Sequence, residues 1–530
     1  MHMSYDIIIK NGTVFDGAGN VPKKESIGIK GDEIKKVGDL QNDNADTIID
    51  ASGHYVSPGF IDMTTHSDTH WTIFTQPSQE SFIRQGITTI LGGNCGVSLA
   101  PLVNSGNIEG IEQWVDTSKT NINWQTMKEF LSELQKRSLP LNFGTFVGFN
   151  TIHWGVIGRE SVTPTNDQIN QLKFLLNDSI KNGAFGLTTS FGALNRSSSM
   201  DKEIIEIFKI AADNGVITKH HLEDEGKNIL PSLSQLLSFA RESGAKIHLS
   251  HLKALGKTGW SYFKSLFAMI ENAKNEGVEI TCDFFPYTST GSNLYMLFPS
   301  WIKNRKPNQI LEILRSPESK ERKGLLDYFK ELTLHYDRMT ISSAFQSWEH
   351  VGKTIEEISN ISGLPSEEIV LNLLSANNLK VSIFNEVILE KYIDVLEEKN
   401  YSAIASDGVG YEMDSKVLGL DLPHPRSFGT FPRALRMLAR EKKILAWEKI
   451  IYKMTGLPAK ILNLKKRGKI EKNNYADIVI FDPKELMDLS NYKNPFNFSE
   501  GVKYVLINGK IVLKDEKILE KSAGKLLRKE

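Results

Sequence analysis

The chain has 530 residues, 40% hydrophobic and 24% charged, which is enough for two or more domains including a large α/β barrel and rules out a small disulfide scaffold or a disordered chain. Its 63 Lys+Arg against 64 Asp+Glu leave a formal charge of -1, so no positive excess exists to hold nucleic acid or an anionic membrane, and a small-molecule partner is expected. Cys95 and Cys282 are too few for a disulfide framework, the start is not signal-like and no apolar run could span a bilayer, so the expected location is cytoplasmic, with oligomeric state left open.

Residues 4 to about 57 alternate apolar and polar positions and break at Asn-Gly, Asp-Gly and Gly-Asp, which are hairpin signals. YADIVIFDP (475–483) and KYVLINGKIVLKDEKI (503–518) carry the same short runs, with a turn at Asn508-Gly509. The two ends, 1–57 and 466–530, are therefore expected to form one small β-sandwich, with 58–465 inserted between them.

That middle segment alternates β-rich runs with stretches of helical period. In 167–183, Ile169, Leu172, Leu175, Leu176 and Ile180 form one stripe and Gly183 stands where a C-terminal cap belongs. Strands are predicted at 58–66, 87–95, 141–149, 184–190, 215–221, 246–251, 278–287 and 401–407. Eight βα units close a (β/α)8 barrel with its active site at the C-terminal strand ends. A doubly wound open sheet is the competing arrangement, but neither GxGxxG nor GxxxxGK[ST] is present. The long gap after the seventh strand predicts an insertion at about 290–395, the usual place for a lid.

Ligand-type residues fall where a barrel places chemistry: His66 and Asp68 end the first run, Cys95 the second, His221 the fifth, His251 the sixth and Asp407 the eighth. A thiolate with two imidazoles suits zinc, and three protein ligands leave a fourth position open, as catalytic sites do. Zinc lowers the pKa of a bound water to roughly 7, and Asp407 is placed to carry its proton to a leaving group. Singly, each residue also has a plain structural reading, as a small buried hydrophobe or a hydrogen-bonded core histidine. Their coincidence at separate strand ends favours a metal hydrolase. His220 and His221 point to opposite faces of a strand, so only one enters the barrel.

GNCGVSLAP (93–101), SHLK (250–253), FPYT (285–288), SDG (406–408), HPRSFGTFPRAL (424–435), MTGLPA (454–459), RGKI (467–470) and ADIVIFDP (476–483), in this order and after PGFID, resemble the N-acyl-D-amino-acid deacylases, or D-aminoacylases, of the amidohydrolase superfamily. The resemblance implies a (β/α)8 barrel beside a β-sandwich, zinc held by Cys95, His221 and His251, and Asp407 as general base and then general acid. It also implies a substrate carboxylate held by Lys253, Tyr287 and Arg426, and hydrolysis of an N-acyl-D-amino acid to a carboxylate and a free D-amino acid. The fourth run, AFGLTTS, lacks the lysine that cyclic-amide hydrolases carry there.

Three departures stand out. Thr64 replaces the first histidine of a His-x-His pair completed by His66, which weakens a second metal site and makes one zinc the expectation. Glu223 stands where an arginine is expected, reversing a charge near the site, and Phe149 and His153 replace a histidine and an arginine. The alternatives are a hydrolase of another amide or small peptide, and a binding protein that has lost turnover on the same fold.

Overall fold

Eight short parallel strands surround the centre of the molecule: Phe60–Asp62, Ile87–Gly92, Asn142–Thr145 continued by Val147–Gly148, Gly186–Ser190, Ile217–His221, Lys246–Leu249, Ile280–Phe284 and Ser402–Ile404. Each pairs in parallel with the next. The eighth returns to the first through a parallel bridge between Thr65 and Gly408, where the Asp407 N–H donates to the Thr64 carbonyl at 2.9 Å and the His66 N–H to the Gly408 carbonyl at 2.8 Å. The chain forms a (β/α)8 barrel. The computed structural model describes residues 4–104, 122–158, 163–194, 200–303, 305–332, 334–413 and 421–529.

The strands are shorter than the apolar runs that predicted them, and the cause is local. Cys95, His251 and Asp407 have φ of 51°, 37° and 51°. A residue in the left-handed region cannot continue a strand, so the ladder stops before each of them and the chain bends over the barrel mouth. The helices outside follow their stripes. Asn166–Lys181 buries Ile169, Leu172, Leu176 and Ile180, and starts at a capping box in which Thr165 accepts from the Gln168 N–H and the Gln168 side chain accepts from the Thr165 N–H.

The N-terminal segment contributes strands to two sheets, and the C-terminal segment joins the second of them. Ser4–Lys10, Ser26–Lys30, Glu33–Gly38 and Asn44–Asp50 form a four-stranded sheet, while Tyr55–Pro58 pairs antiparallel with Ile478–Phe481 in a seven-stranded one. Ile7, Ile27 and Ile49 of the first sheet share a core with Val56, Ile478 and Leu506 of the second. Asn508 and Gly509 both have positive φ, as a tight hairpin turn between Val502–Ile507 and Lys510–Lys514 requires.

Between the seventh and eighth barrel strands, Ser289–Asn293, Met339–Ser343 and Ser382–Glu386 form an antiparallel sheet of their own. Helices including Pro307–Leu314, Lys320–Glu331 and Ser366–Ala376 pack on it around Leu294, Phe298, Ile341, Val370, Leu374 and Ile383, a core separate from that of the barrel. Within the charged stretch at 316–329, Arg322 is buried and bonds Glu368 through two nitrogens. No described helix is long and apolar enough to cross a membrane.

Glu397, on the helix Glu390–Glu398, is fully buried and neither carboxylate oxygen has a hydrogen-bond partner. Burial, reinforced by Asp394, raises its pKa from 4.5 to about 8. A carboxyl whose folded pKa exceeds its unfolded value contributes full stability below the unfolded value and loses it as the pH climbs through the folded one. The melting temperature is therefore expected to fall between about pH 5 and about pH 9, and Glu397→Gln to flatten that fall. Calorimetry at the two values checks this, and an equal fall in the variant would refute it.

Candidate metal centre

The turn after the second barrel strand sets the position of Cys95. Gly93 and Gly96 flank it with φ of 72° and 78°, and a Cβ on either would lie 2.2 Å from the Phe146 carbonyl oxygen or 2.3 Å from Asn150 Oδ1, so only glycine fits. Asn94 ties the turn down by donating to the Thr65 and Leu91 carbonyls, and Asp68 accepts the Gly93 N–H at 2.6 Å. His221 is the last residue of its strand, and strand alternation turns His220 outward against Phe208, as expected. The backbone N–H of His251 donates to Asp283 on the neighbouring strand.

These constraints bring three lone-pair atoms together. His251 Nε2 lies 3.3 Å from Cys95 Sγ and 3.0 Å from His221 Nδ1. Such an array is repulsive unless a proton or a metal ion lies among the three, and one sulfur with two imidazole nitrogens is a donor set that fits zinc. A second trio, His66, Cys95 and Asp407, shares the sulfur. His66 Nε2 is 3.0 Å from Asp407 Oδ1 and 3.9 Å from Cys95 Sγ.

The charges follow from this crowding. Burial opposes ionisation of Cys95, but His251, His221 and His66 hold its thiol well below the usual range. Burial likewise opposes charge on His66, yet Asp407 and Cys95 outweigh it and raise the ring to about 10. For His251, burial and Lys253 work against the charge, and Asp407 and Cys95 prevail, raising it to about 9. The cluster thus demands positive charge, and metal binding there would displace protons from the rings.

Other partners fix the ring orientations. With Nε2 of His251 turned to the cluster, Nδ1 faces Glu225 Oε1 at 3.4 Å and Lys253 Nζ at 2.8 Å. Lys253 also donates to Glu225 at 2.6 Å. Burial works against the Glu225 carboxylate, but Lys253 and His221 hold its pKa well below the ordinary value. Such an outer carboxylate sets the tautomer of a ligating histidine. Arg426 Nη1 lies 2.5 Å from Asp407 Oδ2, with its guanidinium over the Phe285 ring. Tyr287 is buried, and its hydroxyl donates to the Pro425 carbonyl at 3.3 Å.

The structure brings Cys95, His221, His251, His66, Asp407, Lys253 and Arg426 into one connected cluster, with Tyr287 joined to it through the residue before Arg426. Lys253 and Arg426 are largely buried rather than surface charges. Cys282 and His248 are buried interior residues. Glu223 is exposed beside the His221 loop, and Phe149 and His153 are buried with rings 5.8 Å apart. Sequence reasoning overlooked Glu225, although its spacing four residues after His221 in HLEDEG was visible.

An amidohydrolase-family profile matches residues 333–512. D-aminoacylase of Alcaligenes xylosoxydans xylosoxydans is 25% identical over 523 residues, covering 99% of this chain and 97% of that one. The chain is similar to this D-aminoacylase over nearly its whole length. Among solved structures, an N-acyl-D-glutamate deacylase from Bordetella bronchiseptica, complexed with zinc and a phosphonate mimic of the tetrahedral intermediate, superposes with a TM-score of 0.82 at 24% identity, covering 99% of this chain and 100% of that one. A D-aminoacylase structure, described by a binuclear metal centre with one-metal activation and second-metal attenuation, superposes at 0.81 with 27% identity and the same coverage. Each of these matches covers 99% of the chain.

Proposed function

We propose that this chain is a zinc-dependent amidohydrolase that cleaves N-acyl-D-amino acids to a carboxylate and a free D-amino acid. The observation that carries the reading is the convergence of Cys95, His221 and His251 beside an Asp407 that is itself oriented by His66 and Arg426. The names of the full-length homologues supply the substrate class.

Cys95, His221 and His251 would hold the ion, and a zinc bound there would supply polarisation of the amide carbonyl and activation of water near neutral pH. Asp407 would accept the proton of the attacking water and return it to the leaving nitrogen, with His66 holding one carboxylate oxygen in line. Arg426 Nη1 is ion-paired with Asp407, so the rest of its planar fork can receive the substrate carboxylate while the base stays aimed. Lys253 and Tyr287 would complete that carboxylate subsite. Two free cysteines, one of them this thiolate ligand, accord with a reducing, cytoplasmic setting.

A chiral assay of racemic N-acetyl amino acids incubated with zinc-loaded protein tests the proposal. Release of D enantiomers alone is expected. Release of L enantiomers would remove the stereochemical assignment, and release of neither from zinc-bearing protein would remove the substrate class.

A further inference from the structure

Lys219 has no part in the reaction just proposed, yet it is fully buried and lies on the same strand face as His221, two residues away. Its Nζ donates to the Met63 carbonyl at 2.8 Å, to Asn94 Oδ1 at 2.7 Å and to Thr64 Oγ1, and stands 3.4 Å from Asp283 Oδ2. The Phe146 ring lies 5.6 Å away on another side. A backbone carbonyl, an amide oxygen, a hydroxyl and a carboxylate around one buried positive charge make the kind of oxygen shell that proteins otherwise build for a hard metal ion.

Three of the residues that supply this shell, Asn94, Thr64 and Asp283, also adjoin the metal centre through other atoms. Asn94 immediately precedes Cys95, and Thr64 lies two residues before His66 and accepts the Asp407 N–H through its carbonyl. Asp283 accepts the His251 N–H, the Thr64 hydroxyl and a contact from His248 Nε2 at 3.0 Å. Without Lys219, Asp283 would lose its lysine counter-charge in a fully buried position. On the other side of the centre, Asp407 of the second donor trio is already engaged by Arg426.

We propose that Lys219 is a second cation of this centre supplied by the chain itself, so that the centre takes one metal ion where the D-aminoacylase neighbour is described as binuclear. Thr64 is the complement of this arrangement: its short side chain leaves room for the lysine head and gives it an acceptor. The inference rests on the metal-hydrolase reading of the preceding section, and the test separates the two.

Metal-free protein is titrated with Co(II), and bound ions per chain are counted by elemental analysis alongside the visible cobalt spectrum. Uptake of a single ion by wild type is expected. Two tightly held ions would overturn the inference and leave the hydrolase intact, while no uptake would overturn the hydrolase reading itself. Lys219→Ala empties the oxygen shell and should admit a second ion; a folded variant still limited to one would overturn exclusion by Lys219. Should that variant fail to fold, Lys219→Met keeps the stem and removes only the charge. Cobalt affinity should then fall by about 10–100-fold as Asp283 loses its partner beneath His251, and unchanged affinity would overturn the inference.

Discussion

Asp407→Asn is expected to lower kcat by about 10²–10⁴-fold, the range lost with a general acid–base group, while the bound metal stays in place. The substitution changes little else. Asparagine is one of the few residues that enters the left-handed region easily, so the φ of 51° at this position can persist. Its amide oxygen can still accept from Arg426 or from a protonated His66. Only the ability to take a proton from water and return it to nitrogen is removed. Cys95, His221 and His251 are untouched, so metal analysis of the variant should match wild type. Steady-state kinetics beside that analysis check the expectation, and full turnover by the asparagine variant would remove Asp407 from the mechanism.

Cys95→Ser is expected to have the other large effect, abolishing both tight metal binding and hydrolysis. Cys95 belongs to both donor trios, and its neighbours hold it as a thiolate. A serine hydroxyl remains protonated near neutral pH and is a harder, weaker donor to zinc, leaving two imidazoles where three ligands converged. The loss of affinity should exceed the roughly 10–100-fold that removal of an orienting partner costs. Cys282→Ser is the matched control. That residue is fully buried in the seventh strand, and burial pushes its thiol further up, so its loss should leave metal content unchanged. Equal metal content in the two variants would contradict the assignment of Cys95.

Much of this centre could be read from residues alone because a barrel constrains where side chains go. Once the βα rhythm locates the strand ends, Cys95, His221, His251 and Asp407 are near one another whatever the loops do. The features that escaped notice depend on geometry that periodicity does not encode. Glu225 reaches His251 and Lys253 only because the HLEDEG segment folds back over the mouth. Lys219 left a faint trace as a lone cation on the inward face of ITKHH, but its shell is gathered from Met63, Asn94 and Asp283, distant in sequence. The strand ends were overextended for the same reason the site works, since the bends at Cys95, His251 and Asp407 interrupt runs whose composition still reads as β. The insertion mixes short helices and strands, so its outline was visible as a gap and its architecture was not.

That insertion has a consequence for how such an enzyme can diversify. Its first strand reaches the Arg426 side of the centre: the Ser289 carbonyl lies 3.0 Å from His424 Nε2, and a Cβ at Gly291 would stand 3.7 Å from an Arg426 nitrogen. Yet its interior, from Leu294 to Ile383, is packed independently of the barrel that holds the ligands. If Arg426 receives the substrate carboxylate as proposed, one wall of that subsite belongs to a unit with its own hydrophobic core, which can be recut by substitutions that never reach Cys95 or His251. Selection is free to retune what the pocket admits while the chemistry is inherited unchanged.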